Sequence, residues 1–279
     1  MISSIAYFPS QCAKNSAPVL QAFLKSCNMN GIATKENHWE CDAAVIWSVL
    51  WHGRMADNES VYEYYREQGK PVICIDVGSL IRGTTWKIAV NNINALGYYG
   101  HKKNIDSNRP KKLGLELKDH AKKKEAVLLA TQHAKSLQVQ EIDYLAWIEN
   151  TIAKIKRFTD RPIVMRPHPR CKIMPSAGSG IIVEQPRHVN GTYDSYDISF
   201  EYHATVNYCS TPGIQSAMSG CPTIVDISSL AYPVSIAWQD LEDPIETDRT
   251  RWLAEISHTE YTVEEIAQGR WLKRLEDQL

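Results

Sequence analysis

Eight short apolar runs constrain this chain more than any other feature: SIAYF (4–8), DAAVIWSVL (42–50), PVICIDV (71–77), AVLLAT (126–131), PIVM (162–165), GIIVEQ (180–185), ATVNYC (204–209) and PTIVDI (222–227). Several are apolar throughout instead of alternating, as strands buried on both faces are. Helical stretches separate them. APVLQAFLKSCNMNG reads as a helix ending at Gly31, NESVYEYYREQGK as one with an asparagine cap and a terminal Gly69, and VQEIDYLAWIENTIAKIKRF as a long amphipathic one. Strand and helix in alternation mean an α/β class with parallel sheets. No internal repeat interrupts the pattern.

With 279 residues and 43% hydrophobic content, the chain is long enough for two moderate cores. The expected seam is the stretch 101–124, HKKNIDSNRPKKLGLELKDHAKKK, which lacks apolar periodicity and holds nine Lys or Arg against three Asp or Glu. Such a run is a solvated linker or a basic rim facing a polyanion. The expected division is therefore 1–124, then 125–262, then a last helix from Val263 to Leu279 crossing back toward the first domain. Lys plus Arg total 31 and Asp plus Glu 32, so any surface for nucleic acid has to be local. The seven cysteines show no CxxC or Cys/His metal spacing and read as reduced thiols of a cytosol. The start MISSIAYFPS lacks the basic and apolar regions of a signal peptide. No run approaches the roughly 20 apolar residues of a membrane span. The expectation is a soluble, cytoplasmic monomer with no membrane partner.

Two segments carry chemistry. In RPIVMRPHPRCK (161–172), two prolines stop a buried strand and fix the backbone beyond it. Arg166, His168 and Arg170 then stand at the carboxyl edge of a sheet, where open α/β folds bind ligands, and offer an anion three kinds of donor. In NYCSTPGIQSAMSGCPTIVDI (207–227), a strand runs into Ser210, Thr211, Pro212 and Gly213 and then a short helix. Ser210 or Thr211 suits the N-cap, Pro212 the first turn, and Gly213 close approach of a ligand to the backbone. Hydroxyls and amides at a helix N-terminus make a phosphate site, although Ser and Thr also cap helices that bind nothing. The two loops open at one edge, so His168 and the helix start together suit one diphosphate.

A strand ending in basic-Pro-His-Pro, followed some forty residues later by a strand, a Ser/Thr-Pro-Gly turn, a small helix and SGCPTIV, resembles the donor-binding domain of GT-B glycosyltransferases. It is most similar to the capsule-polysaccharide type and to glycosyltransferase-like proteins of tailed phages that decorate modified DNA bases. The ending DRTRWLAEISHTEYTVEEIAQG is similar to endings in that group, and the resemblance covers about 160–269. It implies two Rossmann-like domains facing a central cleft. It implies that Arg166 and His168 contact donor phosphate and that Ser210, Thr211 and Gly213 hold the phosphate or the sugar-proximal end. Gln132 and His133 are secondary candidates, and Glu184 with Gln185 are candidates for the nucleoside. The donor implied is a nucleotide sugar of the UDP type, carrying a hexosyl or pentosyl group.

Transfer also needs a base for the acceptor hydroxyl. Asp76 after PVICI is the first candidate and His52 in VLWHGRMADN the second. Trp51, His52 and Arg54 read as an aromatic and cationic rim, and Arg82 and Lys87 as added positive charge. There is no Asp-x-Asp, so transfer is expected to need no metal: Arg, His and a helix dipole stabilise the leaving diphosphate. No GxxxxGK[ST] loop is present, which disfavours phosphotransfer. The acceptor expected from the resemblance is 5-hydroxymethylcytosine, or another hydroxymethylated pyrimidine, in phage duplex DNA in a host cytoplasm. Such a base must be extruded to be reached. Arg54, Arg82, Lys102, Lys103, Lys111 and Lys112 would carry the DNA contact. The alternatives are a glycosyltransferase acting on a surface polysaccharide and a non-catalytic nucleotide-binding protein.

Overall fold

All eight apolar runs are strands in the computed structural model, which describes residues 2–119, 124–171, 173–176, 180–190, 196–197 and 199–279. In chain order the elements are β1 (Ser4–Tyr7), α1 (Ala17–Met29), β2 (Ala33–Glu36), β3 (Ala43–Trp47), α2 (Asn58–Glu67), β4 (Val72–Val77), β5 (Trp86–Val90) and α3 (Arg109–Lys112). They continue as β6 (Val127–Ala130), α4 (Tyr144–Phe158), β7 (Ile163–Arg166), β8 (Ile182–Val183), β9 (Arg187–His188), β10 (Tyr196–Asp197) and β11 (Ala204–Asn207). The last are α5 (Thr211–Met218), β12 (Thr223–Val225), α6 (Thr250–Ile256), β13 (Glu260–Tyr261), α7 (Val263–Ala267) and α8 (Leu272–Leu275).

The chain forms two units, Met1–Arg109 with Ala254–Leu279, and Pro110–Leu253. The crossings thus fall at 109/110 and 253/254, whereas the sequence places the seams at 124/125 and 262/263. Arg109 explains the first difference. Its Nε donates to the Ser257 carbonyl at 2.7 Å, its Nη1 to Glu265 Oε1 at 2.6 Å, and its Nη2 to the Glu260 carbonyl at 2.7 Å. A guanidinium buried with so many partners is part of a core, not of a solvated run. Burial works to raise the Glu265 carboxyl, yet the Arg109 hydrogen bonds and charge hold it below its ordinary value. Past Arg109 the chain belongs to the second unit, where the Lys118 N–H donates to the Met218 carbonyl. At the second crossing, β13 pairs with β5 and so carries the chain's end into the first unit. That ending is two short helices, because Gly269 adopts φ +70° between them.

In the first unit the sheet order is β13-β5-β4-β3-β1-β2, with β2, β1, β3 and β4 parallel and β5 and β13 antiparallel. The parallel part has the flavodoxin-like order 2-1-3-4, which reverses between β1 and β3. Phe23 and Cys27 of α1, one helical turn apart, pack on Ile5, Val45, Ile73 and Ile88, and Trp271 stacks on Phe23 at 4.5 Å. Losing a buried aromatic such as Phe23 costs about 3–5 kcal/mol. The sequence pattern does not announce β2, β5 or β13: β2 is a polar edge strand and β13 is two residues long.

In the second unit the sheet order is β12-β11-β6-β7-β8, all parallel. Numbered within the unit this is 5-4-1-2-3, the order of a dinucleotide-binding half, which reverses between β6 and β11. Ile148, Ile152 and Ile155 of α4 recur at helical spacing and cover Val127, Leu129, Ile163 and Met165. The helix begins at Tyr144 and not at Val139, because Asp143 caps it, accepting from the Ala146 N–H at 3.0 Å. The fold is thus α/β with two Rossmann-type units. No helix among the described residues is long and apolar enough to cross a membrane.

Candidate functional site

The reversal of strand order in the second unit opens the crevice between the carboxyl ends of β6 and β11. Asn207, the last residue of β11, forms its floor. Its Nδ2 donates to the Ala130 carbonyl at 2.8 Å and to Ser210 Oγ at 2.9 Å, and its Oδ1 accepts from the Ser210 N–H at 2.9 Å. One amide side chain therefore ties β6 to β11 and fixes the turn into α5. Ser210 Oγ faces Asn207 and makes no capping hydrogen bond to α5, and the first turn holds no acidic residue. The helix start keeps its positive end toward the crevice edge. Gln132, buried after β6, closes the other side: its Oε1 accepts from the Cys209 N–H at 3.3 Å and its own N–H donates to the Tyr144 hydroxyl at 2.7 Å. Burial pushes the Tyr144 phenol well up, so that hydroxyl stays neutral. The Thr131 hydroxyl, at the end of β6, is buried and finds no hydrogen-bond partner among the described residues.

Two histidines meet beside this edge. His133 and His168 stand edge to face with ring centroids 5.2 Å apart. His133 Nδ1 accepts from the Lys135 N–H at 3.1 Å, and His168 Nδ1 from the Arg170 N–H at 3.1 Å. Each imidazole thus accepts at Nδ1, which places the ring proton of the neutral form on Nε2. His133 is buried and His168 half-buried, while Arg170 is exposed. The structure thus places His133, His168, Ser210 and Thr211 on the loops after β6, β7 and β11, at one edge of the sheet, with His133 beside His168.

Other expected donor residues take different places. Arg166 is not on the loop: it ends β7, on the same face as Val164. Its Nη1 donates to the Ser199 carbonyl at 3.1 Å and its Nη2 to the Tyr202 hydroxyl at 3.2 Å. Glu184 belongs to the same network, accepting from the Tyr202 hydroxyl at 2.6 Å and facing Lys124 at 3.4 Å. These residues hold the β7–β8 side of the sheet, and Gln185 is exposed next to them. Gly213 is a packing glycine: a Cβ there would lie 2.9 Å from Val225 Cγ1 and 3.0 Å from Asn207 Oδ1. The residues missed from sequence are Asn207 and Thr131. An Asn closing a buried strand immediately before a Ser/Thr turn was the available signal.

In the first unit, Asp76 is the last but one residue of β4 and His52 lies on the exposed loop after β3, so both stand toward the carboxyl edge of adjacent strands. Asp76 is half-buried. Burial raises it above the ordinary carboxylate value, against the opposing pull of Lys87, the Val77 N–H, Arg82 and Ser48. The aromatic rim expected at Trp51 is internal, since Trp51 is buried, whereas Arg54 and Arg82 are exposed. Lys87 is buried within the sheet and adds no charge to the surface. Lys102, Lys103, Lys111 and Lys112 are exposed, with Lys103 paired to Asp277. Among the described residues no group of three His, Cys, Asp or Glu is placed to hold a metal ion.

A cavity of about 660 Å³ lies at the opposite, amino edge of the second sheet, lined in part by Arg161, His203, Gly220, Pro222, Glu242 and Arg249. Its arginines are committed, Arg161 to Glu125 and Glu242 and Arg249 to the Ala217 carbonyl. It stands at the edge where α/β sheets do not bind their ligands.

No family model matches the chain, and no curated protein does. Among solved structures it is similar to Thermosulfurimonas dismutans KpsC, a beta Kdo 2,7 transferase, at 13% identity and TM-score 0.49, covering 97% of this chain and 99% of that one. It is also similar to S. aureus MnaA in a co-structure with UDP, at 10% identity and TM-score 0.32, covering 99% and 98%. The UDP-GlcNAc 2-epimerase from Methanocaldococcus jannaschii matches at 10% identity and TM-score 0.30, covering 98% and 99%. At these scores the assignment of the fold rests on this chain's own strand order.

Proposed function

We propose that the chain is a glycosyltransferase that moves a sugar from a nucleotide sugar, of the UDP type, to a hydroxyl acceptor. The observation that supports this most is that the start of α5, where Ser210 makes no side-chain cap, stands with Ser210, Thr211, His133 and His168 at the carboxyl edge of a 5-4-1-2-3 sheet whose strand order reverses there. Helix N-termini at such reversals suit the phosphates of a nucleotide. In this reading Asp76 takes the acceptor proton, with His52 the second choice. The acceptor oxygen bonds to the anomeric carbon, and the bond from that carbon to the diphosphate oxygen breaks with its electron pair. The leaving diphosphate is met by the α5 dipole and by His168, His133 and Arg170, so the reading needs no metal.

For the acceptor, a hydroxymethylated pyrimidine of duplex DNA follows from the sequence resemblance and is compatible with exposed Arg54, Arg82, Lys102, Lys111 and Lys112. One observation favours a polysaccharide hydroxyl instead: Arg109 is internal and Lys103 paired, so the basic stretch offers less free charge than its composition suggests. The test is incubation with a panel of nucleotide sugars and either hydroxymethylated duplex DNA, plain duplex DNA or a capsular oligosaccharide, followed by mass analysis of digested products. A hexose or pentose added to the modified nucleoside alone supports the DNA reading. Addition to the oligosaccharide alone moves the acceptor to the second reading. No transfer and no donor hydrolysis leaves a nucleotide-binding protein.

A further inference from the structure

Asp76, Lys87 and Glu260 lie directly opposite one another across three neighbouring strands: β4 pairs Asp76 with Lys87, and β13 pairs Glu260 with the same Lys87. Residues directly opposite in antiparallel strands share a face. The alternate residues Ile75, Ile88 and Tyr261 point to the other face and join the hydrophobic core there. The row is therefore carboxylate, ammonium, carboxylate on one side of the sheet. Lys87 and Glu260 are internal, 5% and 1% exposed, while Asp76 at the end of the row is half-buried. Glu260 is held tightly. Its Oε1 accepts from the Ser79 N–H at 2.6 Å and its Oε2 from the Leu80 N–H at 3.1 Å and the Thr85 hydroxyl at 2.6 Å. A Cβ on Gly78 would lie 2.5 Å from Glu260 Oε2, so a glycine is needed where the loop after β4 passes this carboxylate.

Two carboxyl groups aligned with one ammonium on the same face of a sheet, two of the three buried, compete for one positive charge. We propose that Lys87 is a positioning residue, the shared counter-ion that sets the ionisation of Asp76, and that Glu260, delivered by the returning end of the chain, is its competitor. Burial raises the Glu260 carboxyl as it does that of Asp76, and Lys87 opposes it in both. The other groups acting on Asp76 are the Val77 N–H, Arg82 and the Ser48 hydroxyl, and those on Glu260 are the Thr85 hydroxyl and two backbone amides. Cys74 and Tyr99, which also sense this row, are pushed up by burial and stay neutral. The consequence for turnover rests on Asp76 being the general base, but the row itself does not.

The signs follow from charge alone. Removing the Glu260 charge relieves a like-charge interaction and lowers the Asp76 midpoint, and removing the Lys87 charge raises it. The test is a carbon-13 NMR pH titration of the Asp76 carboxyl, assigned by its loss in Asp76→Asn, in the wild type, Glu260→Gln, Lys87→Gln and Lys87→Arg. The expected result is a wild-type midpoint above the ordinary value of about 3.9, moved down by Glu260→Gln, up by Lys87→Gln and left in place by Lys87→Arg. Should Lys87→Gln not fold, Glu260→Gln and Lys87→Arg still decide the matter. A midpoint unmoved by Glu260→Gln, or moved the same way by Glu260→Gln and Lys87→Gln, overturns the proposal. No turnover is needed for this measurement, so its failure is distinct from failure of the glycosyltransferase reading.

Discussion

The two sheets end in opposite chemistry at the same kind of edge. At the carboxyl edge of the second sheet the polar groups near the reversal include hydroxyls, imidazoles and a helix start that Ser210 does not cap. At the carboxyl edge of the first, the feature is a half-buried carboxyl group, Asp76, directly opposite a buried Lys87. Both reversals are floored by one amide side chain: Asn207 in the second unit, and Asn58 in the first, which donates to the carbonyls of Trp47 at 2.8 Å and Gln11 at 3.1 Å. What differs is the charge each unit sets beyond that floor. One edge presents hydroxyls and imidazoles, and the other a carboxyl group of its own.

The comparison predicts that rate and donor affinity separate between the units. Asp76→Asn should lower the transfer rate by about 10²–10⁴-fold, the usual worth of a general base, with the donor Kd from calorimetry unchanged. Since the Asp76 carboxyl is raised and must be ionised to act, wild-type activity should fall as pH drops through that raised midpoint, and Asp76→Asn should lose this limb. His168→Ala should do the reverse, weakening donor binding more than about tenfold because a charge-assisted hydrogen bond to the diphosphate is removed, with thermal stability as the control. An equal fall in donor affinity in both variants would erase the distinction.

Gly213→Ala sharpens the contrast between binding and packing. The added methyl meets Val225 and Asn207, so it should cost about 1–3 kcal/mol in denaturant unfolding, as overpacking does, whereas His168→Ala should cost little. The smallest effect concerns the basic surface. If duplex DNA binds, neutralising Lys102, Lys103, Lys111 and Lys112 should reduce the log–log salt slope by up to about 0.9 for each phosphate that no longer meets a positive charge. Lys103, already paired with Asp277, should contribute least.

How much of this was legible in the sequence differs between the units for a physical reason. Parallel strands buried on both faces announce themselves by composition, which made most of the apolar runs readable, and the α5 turn was readable from Ser210, Thr211, Pro212 and Gly213. GIIVEQ read as a strand from its apolar content although Ile182 and Val183 of β8 are exposed. The direction in which a side chain leaves a strand end was not. Arg166 and His168 are two residues apart, yet one is locked under Tyr202 and the other reaches the loop, because β7 ends between them. The row of Asp76, Lys87 and Glu260 was equally hidden, since it depends on β13, a two-residue strand arriving from the far end of the chain. Arg109 read as one charge in a basic run because its partners, Ser257, Glu260 and Glu265, are about 150 residues away in the sequence.

The central claim is that the carboxyl edge of the second sheet receives a nucleotide diphosphate. Titrating the amide-resolved NMR spectrum of the whole chain with UDP tests it most directly. The account predicts that the amides of Thr131, His133, Ser210, Thr211 and Gly213 shift together along one saturating curve, while those of Gly220 and Arg249 at the amino-edge cavity stay in place. Shifts confined to that cavity, or no saturable shift at the carboxyl edge, would contradict it.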